Sequence, residues 1–168
     1  GSRVDLGTSV LLKHAPEPPV SGNVLDLGCG WGPIALALAF ASPEANVWAV
    51  DVNERALELT HVNAEANGCR NVHTTQVDET SEPIPGDLTF DAIWSNPPIR
   101  IGKEALHTLL MAWLPKLKVG GAAYLVVQKN LGSDSLIPWL DESLGEGFTA
   151  SKYASSKGFR IIEVRHEI

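Results

Sequence analysis

The stretch Val24-Leu25-Asp26-Leu27-Gly28-Cys29-Gly30-Trp31-Gly32-Pro33 decides the fold. Its first four residues form a short, mostly apolar run, the pattern of a buried strand. Three glycines at alternate positions then permit torsions that a Cβ would forbid. Pro33 stands where a helix can begin, because the N–H it lacks would be unpaired in a first turn. The apolar residues that follow predict a buried helix from Pro33 to Ala41. Strand, glycine turn and helix make the opening unit of an α/β sheet.

The same alternation runs outward from there. Val47 to Val50 predicts a second strand ending in Asp51, and Asn53 is placed to cap a helix that passes through Ala56, Leu57, Thr60 and Ala64 to a stop at Asn67-Gly68. Val72 to Val77 predicts a third strand, and Phe90 to Ser95 a fourth that runs into Asn96-Pro97-Pro98, where two prolines end it. A helix follows with Leu106, Leu109, Leu110, Trp113 and Leu114 at helical spacing, and Gly120-Gly121 turns the chain into a strand from Ala122 to Gln128. Ser135 to Leu144 predicts a last helix, and Phe148 to Tyr153 with Phe159 to Val164 a terminal pair of strands. Gly1-Ser2 reads as a cloning remnant and residues 3–20 as an N-terminal segment, with Pro16 to Pro19 as a short linker. Such repetition implies a mainly parallel sheet covered by helices, with ligands beyond the carboxyl ends of its strands. The glycine loop, Asp51, Asp78 and Asn96 all fall at such ends.

At about 150 residues per domain, 168 residues predict a single domain over 1–168. No stretch approaches 18 uninterrupted apolar residues and no signal-peptide pattern opens the chain, so a cytoplasmic protein without membrane contact is expected. Two cysteines, Cys29 and Cys69, read as buried free thiols, and the five histidines lack metal-ligand spacing, so no metal is expected. The net charge of −7 argues against the broad basic face of a non-specific nucleic-acid binder. The charge is unevenly spread: residues 1–95 hold 4 basic and 13 acidic side chains, residues 96–168 hold 9 and 7. If the domain meets a polyanion, the later segment is the expected contact surface; the plainer alternative is an ordinary solvated surface.

A dinucleotide loop is spaced GxGxxG and faces a pyrophosphate. Here the spacing is GxGxG, with Asp26 two residues before the first glycine. A carboxylate repels a phosphate but suits a ligand that carries an ammonium group. S-adenosylmethionine is such a ligand: amino acid, sulfonium and adenosine, without phosphate. Gly28, Gly30 and Gly32 would let backbone approach it closely, Asp51 would accept from both ribose hydroxyls, and Asp78 would reach the adenine amine. The plainer alternative is a tight strand-to-helix turn with a capping aspartate.

Asn96-Pro97-Pro98-Ile99 carries the chemistry. A planar NH₂ group has a delocalised lone pair and is a poor nucleophile until acceptors on its N–H bonds help it pyramidalise. The Asn96 side-chain oxygen and the Pro97 carbonyl would be those acceptors, in a loop stiffened by proline. The catalytic contribution is then positioning and preorganised hydrogen bonding to positive charge developing on nitrogen. The alternative is a simple strand terminator.

Asp26-Leu27-Gly28-Cys29-Gly30 and Asn96-Pro97-Pro98-Ile99 together resemble the class I S-adenosylmethionine-dependent methyltransferases that modify planar amino nitrogens. Arg3-Val4-Asp5-Leu6-Gly7-Thr8, the segment Asn96 to His107 and Lys157-Gly158-Phe159-Arg160 narrow the resemblance to the methyltransferase small-domain family, related to the ribosomal RNA small-subunit methyltransferases C. The resemblance implies an α/β, Rossmann-like, seven-stranded, mostly parallel sheet with helices on both faces and an antiparallel terminal hairpin. It implies methionine-moiety contacts from Asp26, Gly28 and Gly30, ribose contacts from Asp51 with Val52 beside it, and adenine contacts near Asp78. It also implies that residues 3–20 pack near the cofactor, that Thr8 lies against the cofactor carboxylate, that Asn96 borders the cofactor, and that Asn96 with Pro97 is catalytic. Ile99 departs from the Tyr or Phe of many relatives, so ring stacking on a base is lost there. Pro98, Ile99, Arg100, Lys103 and Lys129 are expected to bind substrate, with Arg160 a lesser phosphate contact. Trp31 is expected to pack, with shielding of the cofactor as its alternative, and Trp113 and Met111 to lie in the core. The implied activity is methylation of guanine N2 in ribosomal RNA, with RNA or a ribosomal particle as partner; a homo-oligomer is left open. A protein glutamine N5 or adenine N6 methyltransferase would use the same geometry, and a non-catalytic S-adenosylmethionine-binding module is the alternative of another class.

Overall fold

The structure, a computed structural model, describes residues 3–77, 86–98 and 101–168. The elements in chain order are α1 (Arg3–His14), β1 (Ser21–Leu27), α2 (Pro33–Ala41), β2 (Glu44–Asp51), α3 (Glu54–Ala66), β3 (Val72–Gln76) and β4 (Phe90–Ser95). They continue with α4 (Lys103–Trp113), β5 (Leu117–Gln128), α5 (Ser133–Leu144), β6 (Phe148–Ser156) and β7 (Phe159–His166). The strands form a seven-stranded mixed sheet, as the Rossmann-like expectation requires. The chain divides into two compact units, Pro16–Ser95 and Gly1–Ala15 with Asn96–Ile168.

In Pro16–Ser95 four strands lie parallel in the order β3-β2-β1-β4. Val24 to Leu27 are all buried, as are Ala92 to Ser95. That explains why both strands read as apolar runs and not as alternation: a parallel strand is covered on both faces. Asn53 caps α3 by accepting from the Arg55 and Ala56 amides, as its place in the sequence predicts. Asn71 donates to the Ser42 and Ala45 carbonyls and so pins the turn that precedes β2.

In the second unit β5 pairs antiparallel with β7, and β7 with β6, which is the terminal hairpin expected. Leu110, Leu114, Leu125, Leu140 and Ile161 are fully buried in its core. The Tyr124 hydroxyl donates to Glu163 Oε2 at 2.8 Å across the β5–β7 pair.

Several expectations need correction. Residues 3–14 form a helix where none was predicted, with Val10 and Leu11 buried, Asp5 in the first turn and Lys13 and His14 in the last. β5 starts at Leu117, so Gly120-Gly121 lies inside the strand; Gly120 takes φ +91°, a bend that glycine permits. Trp31 is half exposed and does not pack into the core, and Cys69 is only half-buried. Asp78, Ile99 and Arg100 lie outside the described residues.

Candidate active site

β1 ends at Leu27, and the next two amides, of Gly28 and Cys29, both donate to the Val50 carbonyl at 2.9 and 3.0 Å. The loop is thus hung from the end of β2. Gly28, Gly30 and Gly32 all have positive φ, at +75°, +56° and +100°. Each therefore sits where a side chain is strained. A Cβ at Gly30 would meet no heavy atom within 4 Å, so the outer side of the loop is open for a ligand.

Asp51 ties the loop to the neighbouring helix. Its Oδ2 accepts from the Gly30 amide and its Oδ1 from the Asn53 amide, both at 2.9 Å. Each carboxylate oxygen keeps a further lone pair for a hydroxyl. From α3, Thr60 Oγ1 lies 2.9 Å from the Gly30 carbonyl and 3.0 Å from its own helix carbonyl at Ala56, and the Asn63 side chain donates to the Trp31 carbonyl at 3.0 Å. A Cβ at Gly32 would stand 2.9 Å from Thr60 Oγ1. Thr60 and Asn63 are therefore supports of the loop that sequence reading missed. Their only signal was a shared face of the helix after the second strand, where Thr60 passed as one member of the core-facing pattern.

Asp26 is completely buried. Its Oδ2 accepts from the Ala35 amide at 2.9 Å near the start of α2, as in the capping alternative, while Oδ1 has no hydrogen-bond partner. Burial pushes its carboxyl up to about 8; the Ala35 N–H opposes that rise and the nearby Asp51 charge adds to it. Burial, with the neighbouring Asp26, raises the Cys29 thiol to about 12, which leaves it inert at neutral pH.

Ser95, the last residue of β4, is the register partner of Leu27, the last residue of β1, and its hydroxyl donates to the Leu27 carbonyl at 2.7 Å. The next residues leaving these neighbouring parallel strands are Asn96 and Gly28. Asn96 is half-buried, Pro97 buried and Pro98 exposed. Asn96 Nδ2 donates to Thr8 Oγ1 at 3.2 Å, so Thr8, itself buried, touches the asparagine amide. Lys103, exposed at the start of α4, lines a cavity of about 140 Å³ with Leu106, His107, Leu131 and Ser133. Lys129 is exposed just after β5, and Val52 is exposed beside Asp51. Arg160 is paired with Asp134, so its charge is already engaged within the protein. Among the described residues no group of three or more His, Cys, Asp or Glu could hold a metal ion, and no helix is long and apolar enough to cross a membrane.

The architecture is that of the Rossmann-like S-adenosylmethionine-dependent methyltransferases. The T. Thermophilus 16S rRNA N2 G1207 methyltransferase in complex with AdoMet and guanosine superposes with a TM-score of 0.75 over 99% of this chain and 43% of its own, at 21% identity. The chain belongs to the methyltransferase small domain family, which it matches over residues 1–163. It is 40% identical over 162 residues to "Uncharacterized protein YbxB" of Bacillus subtilis, covering 96% of this chain and 79% of that protein. It is 37% identical over 145 residues to the ribosomal RNA small subunit methyltransferase C of Shewanella sediminis, covering 80% of this chain but 39% of that protein. The chain thus spans about two fifths of the rRNA methyltransferase it matches. The family uses S-adenosylmethionine as methyl donor. The residues present fit that molecule: the loop is open over Gly30, Asp51 keeps acceptor capacity at the end of β2, and Asp26 holds a buried carboxyl oxygen without a partner.

Proposed function

We propose that this chain methylates a planar amino nitrogen, guanine N2 of ribosomal RNA, with Asn96 and Pro97 as the catalytic groups. The observation that carries the reading is the pairing of Leu27 with Ser95, which makes the glycine loop and Asn96-Pro97 the continuations of adjacent parallel strands. Gly28 and Gly30 would hold the methionine moiety through backbone, Asp51 the ribose hydroxyls, and Val52 an apolar edge of the nucleoside. Asp78 is assigned the adenine amine. The donor supplies an electrophilic methyl group on sulfur.

This chain's own part is to bind, aim and polarise. The Asn96 Oδ1 atom and the Pro97 carbonyl accept the two N–H bonds of the target amine and direct its lone pair outward. Positive charge grows on that nitrogen as the N–C bond forms and the C–S bond breaks, and both acceptors stabilise it. One N–H proton then leaves to solvent, and Asn96 stays neutral throughout. Pro98, Ile99, Arg100, Lys103 and Lys129 are assigned to the RNA, and the segment after residue 95 carries the excess of basic over acidic side chains. A ribosomal RNA substrate puts the reaction in the cytoplasm.

The test is incubation of the protein and its Asn96→Ala variant with labelled S-adenosylmethionine and unmodified small-subunit ribosomal RNA, ribosomal particles or a glutamine-containing protein. Label in RNA that digests to N2-methylguanosine is expected, and transfer by the variant should fall about 10²- to 10³-fold, the cost of one preorganised group. Label in protein, or as N6-methyladenosine, overturns the substrate.

A further inference from the structure

We infer that Thr8 is a positioning residue for Asn96, and that α1 braces the asparagine amide. The consequence for catalysis rests on the methyl-transfer reading; the contact itself does not. A primary amide has a donor end and an acceptor end, and a half-turn of its last torsion exchanges them. Only the acceptor end is useful to an incoming NH₂ group, since the other presents N–H against N–H. Asn96 Nδ2 donates to Thr8 Oγ1 at 3.2 Å, and Thr8 is buried, so the amide nitrogen is committed to α1 and Oδ1 is the opposite end.

Gly7 supplies a second, independent observation. It sits inside α1, where glycine is a poorer helix former than alanine, and it takes no left-handed torsion that would require it. A Cβ there would stand 2.9 Å from Phe159 Cε1 and 3.2 Å from Asn96 Nδ2. The missing side chain lets α1 approach closely enough for the next residue to reach the amide. Gly7 sets the distance and Thr8 sets the orientation.

Thr8→Val keeps the shape and removes the hydroxyl, and Thr8→Ser keeps the hydroxyl. The experiment compares both with the unaltered protein by the exchange rate of the Asn96 side-chain NH₂ protons in ¹⁵N-resolved spectra, by kcat and by the dissociation constant of adenosylhomocysteine. Loss of one buried neutral hydrogen bond should speed exchange about 5- to 10-fold in Thr8→Val and lower kcat by a similar factor. Adenosylhomocysteine affinity should stay within about twofold. Thr8→Ser should recover both exchange protection and kcat. Unchanged Asn96 exchange in Thr8→Val, or weakened donor affinity with kcat intact, would overturn the proposal. If the unaltered protein transfers no methyl group to any substrate, the methyl-transfer reading fails on its own, while Asn96 exchange still decides whether Thr8 holds the amide.

Discussion

The substitution Asp26→Asn should change how stability depends on pH. The Asp26 carboxyl is wholly buried, accepts one bond from the Ala35 amide, leaves Oδ1 without a partner and is raised from 3.8 to about 8. Between those values the folded protein binds a proton that the unfolded chain has released. The stability linked to this group is therefore fully present below about pH 4 and is lost as the pH climbs toward 8. The slope can reach about 1.4 kcal/mol per pH unit. The carboxamide of the variant would not titrate and could still accept from Ala35, although its NH₂ group would face the place of the unpartnered oxygen at a pH-independent cost of about 1–3 kcal/mol. The diagnostic quantity is thus the slope, because every other titrating group cancels in the difference between the two proteins. Urea unfolding of both proteins at pH 5, 6, 7 and 8 should show the variant gaining on the original at each step, in the absence of donor. Parallel stability curves across that range would mean that Asp26 is already ionised in the folded state, and the account of its burial would be wrong.

Other expectations bear on the loop. Thr60→Val removes the hydroxyl that joins the Gly30 and Ala56 carbonyls; chemical denaturation should show a loss of about 1–3 kcal/mol, and calorimetry a weaker affinity for adenosylhomocysteine. Gly32→Ala forces a Cβ onto φ +100° at 2.9 Å from Thr60. It should cost more than about 1 kcal/mol in denaturant unfolding, and a neutral result would show that the loop relaxes freely.

Much of this fold could be read from local pattern because the residues of β1 and β4 are buried on both faces over most of their length. Runs such as Val24 to Leu27 and Phe90 to Ser95 need no tertiary information to be recognised. The N-terminal helix hid for the opposite reason. Gly7, Thr8 and Ser9 stand in its middle, all poor helix formers, and α1 is held by the burial of Val10 and Leu11 rather than by propensity. The start of β5 was misplaced because Gly120-Gly121 carries a turn's chemistry, and the exposed residues Lys118 to Gly120 offer Val119 alone as an apolar position.

The site divides in the same way. Spacing marked Asp26, Asp51 and Asn96 as residues at strand ends, but it carried no information on which partner each side chain would find. Asp26 turns into the start of α2, Asp51 turns back to the Gly30 amide, and Thr8 meets Asn96 across 88 positions of sequence. Thr60 was the least visible of all. Its role depends on a hydroxyl directed at a loop carbonyl 30 residues earlier, and periodicity records only that the position faces inward.

The most direct test of the methyl-transfer account is the crystal structure of this protein soaked with adenosylhomocysteine. The account predicts the amino-acid end over Gly28 and Gly30, the ribose on Asp51 and the thioether sulfur turned toward Asn96 and Pro97. A molecule bound with its sulfur remote from Asn96, or a glycine loop left bare beside a saturating ligand, would contradict it.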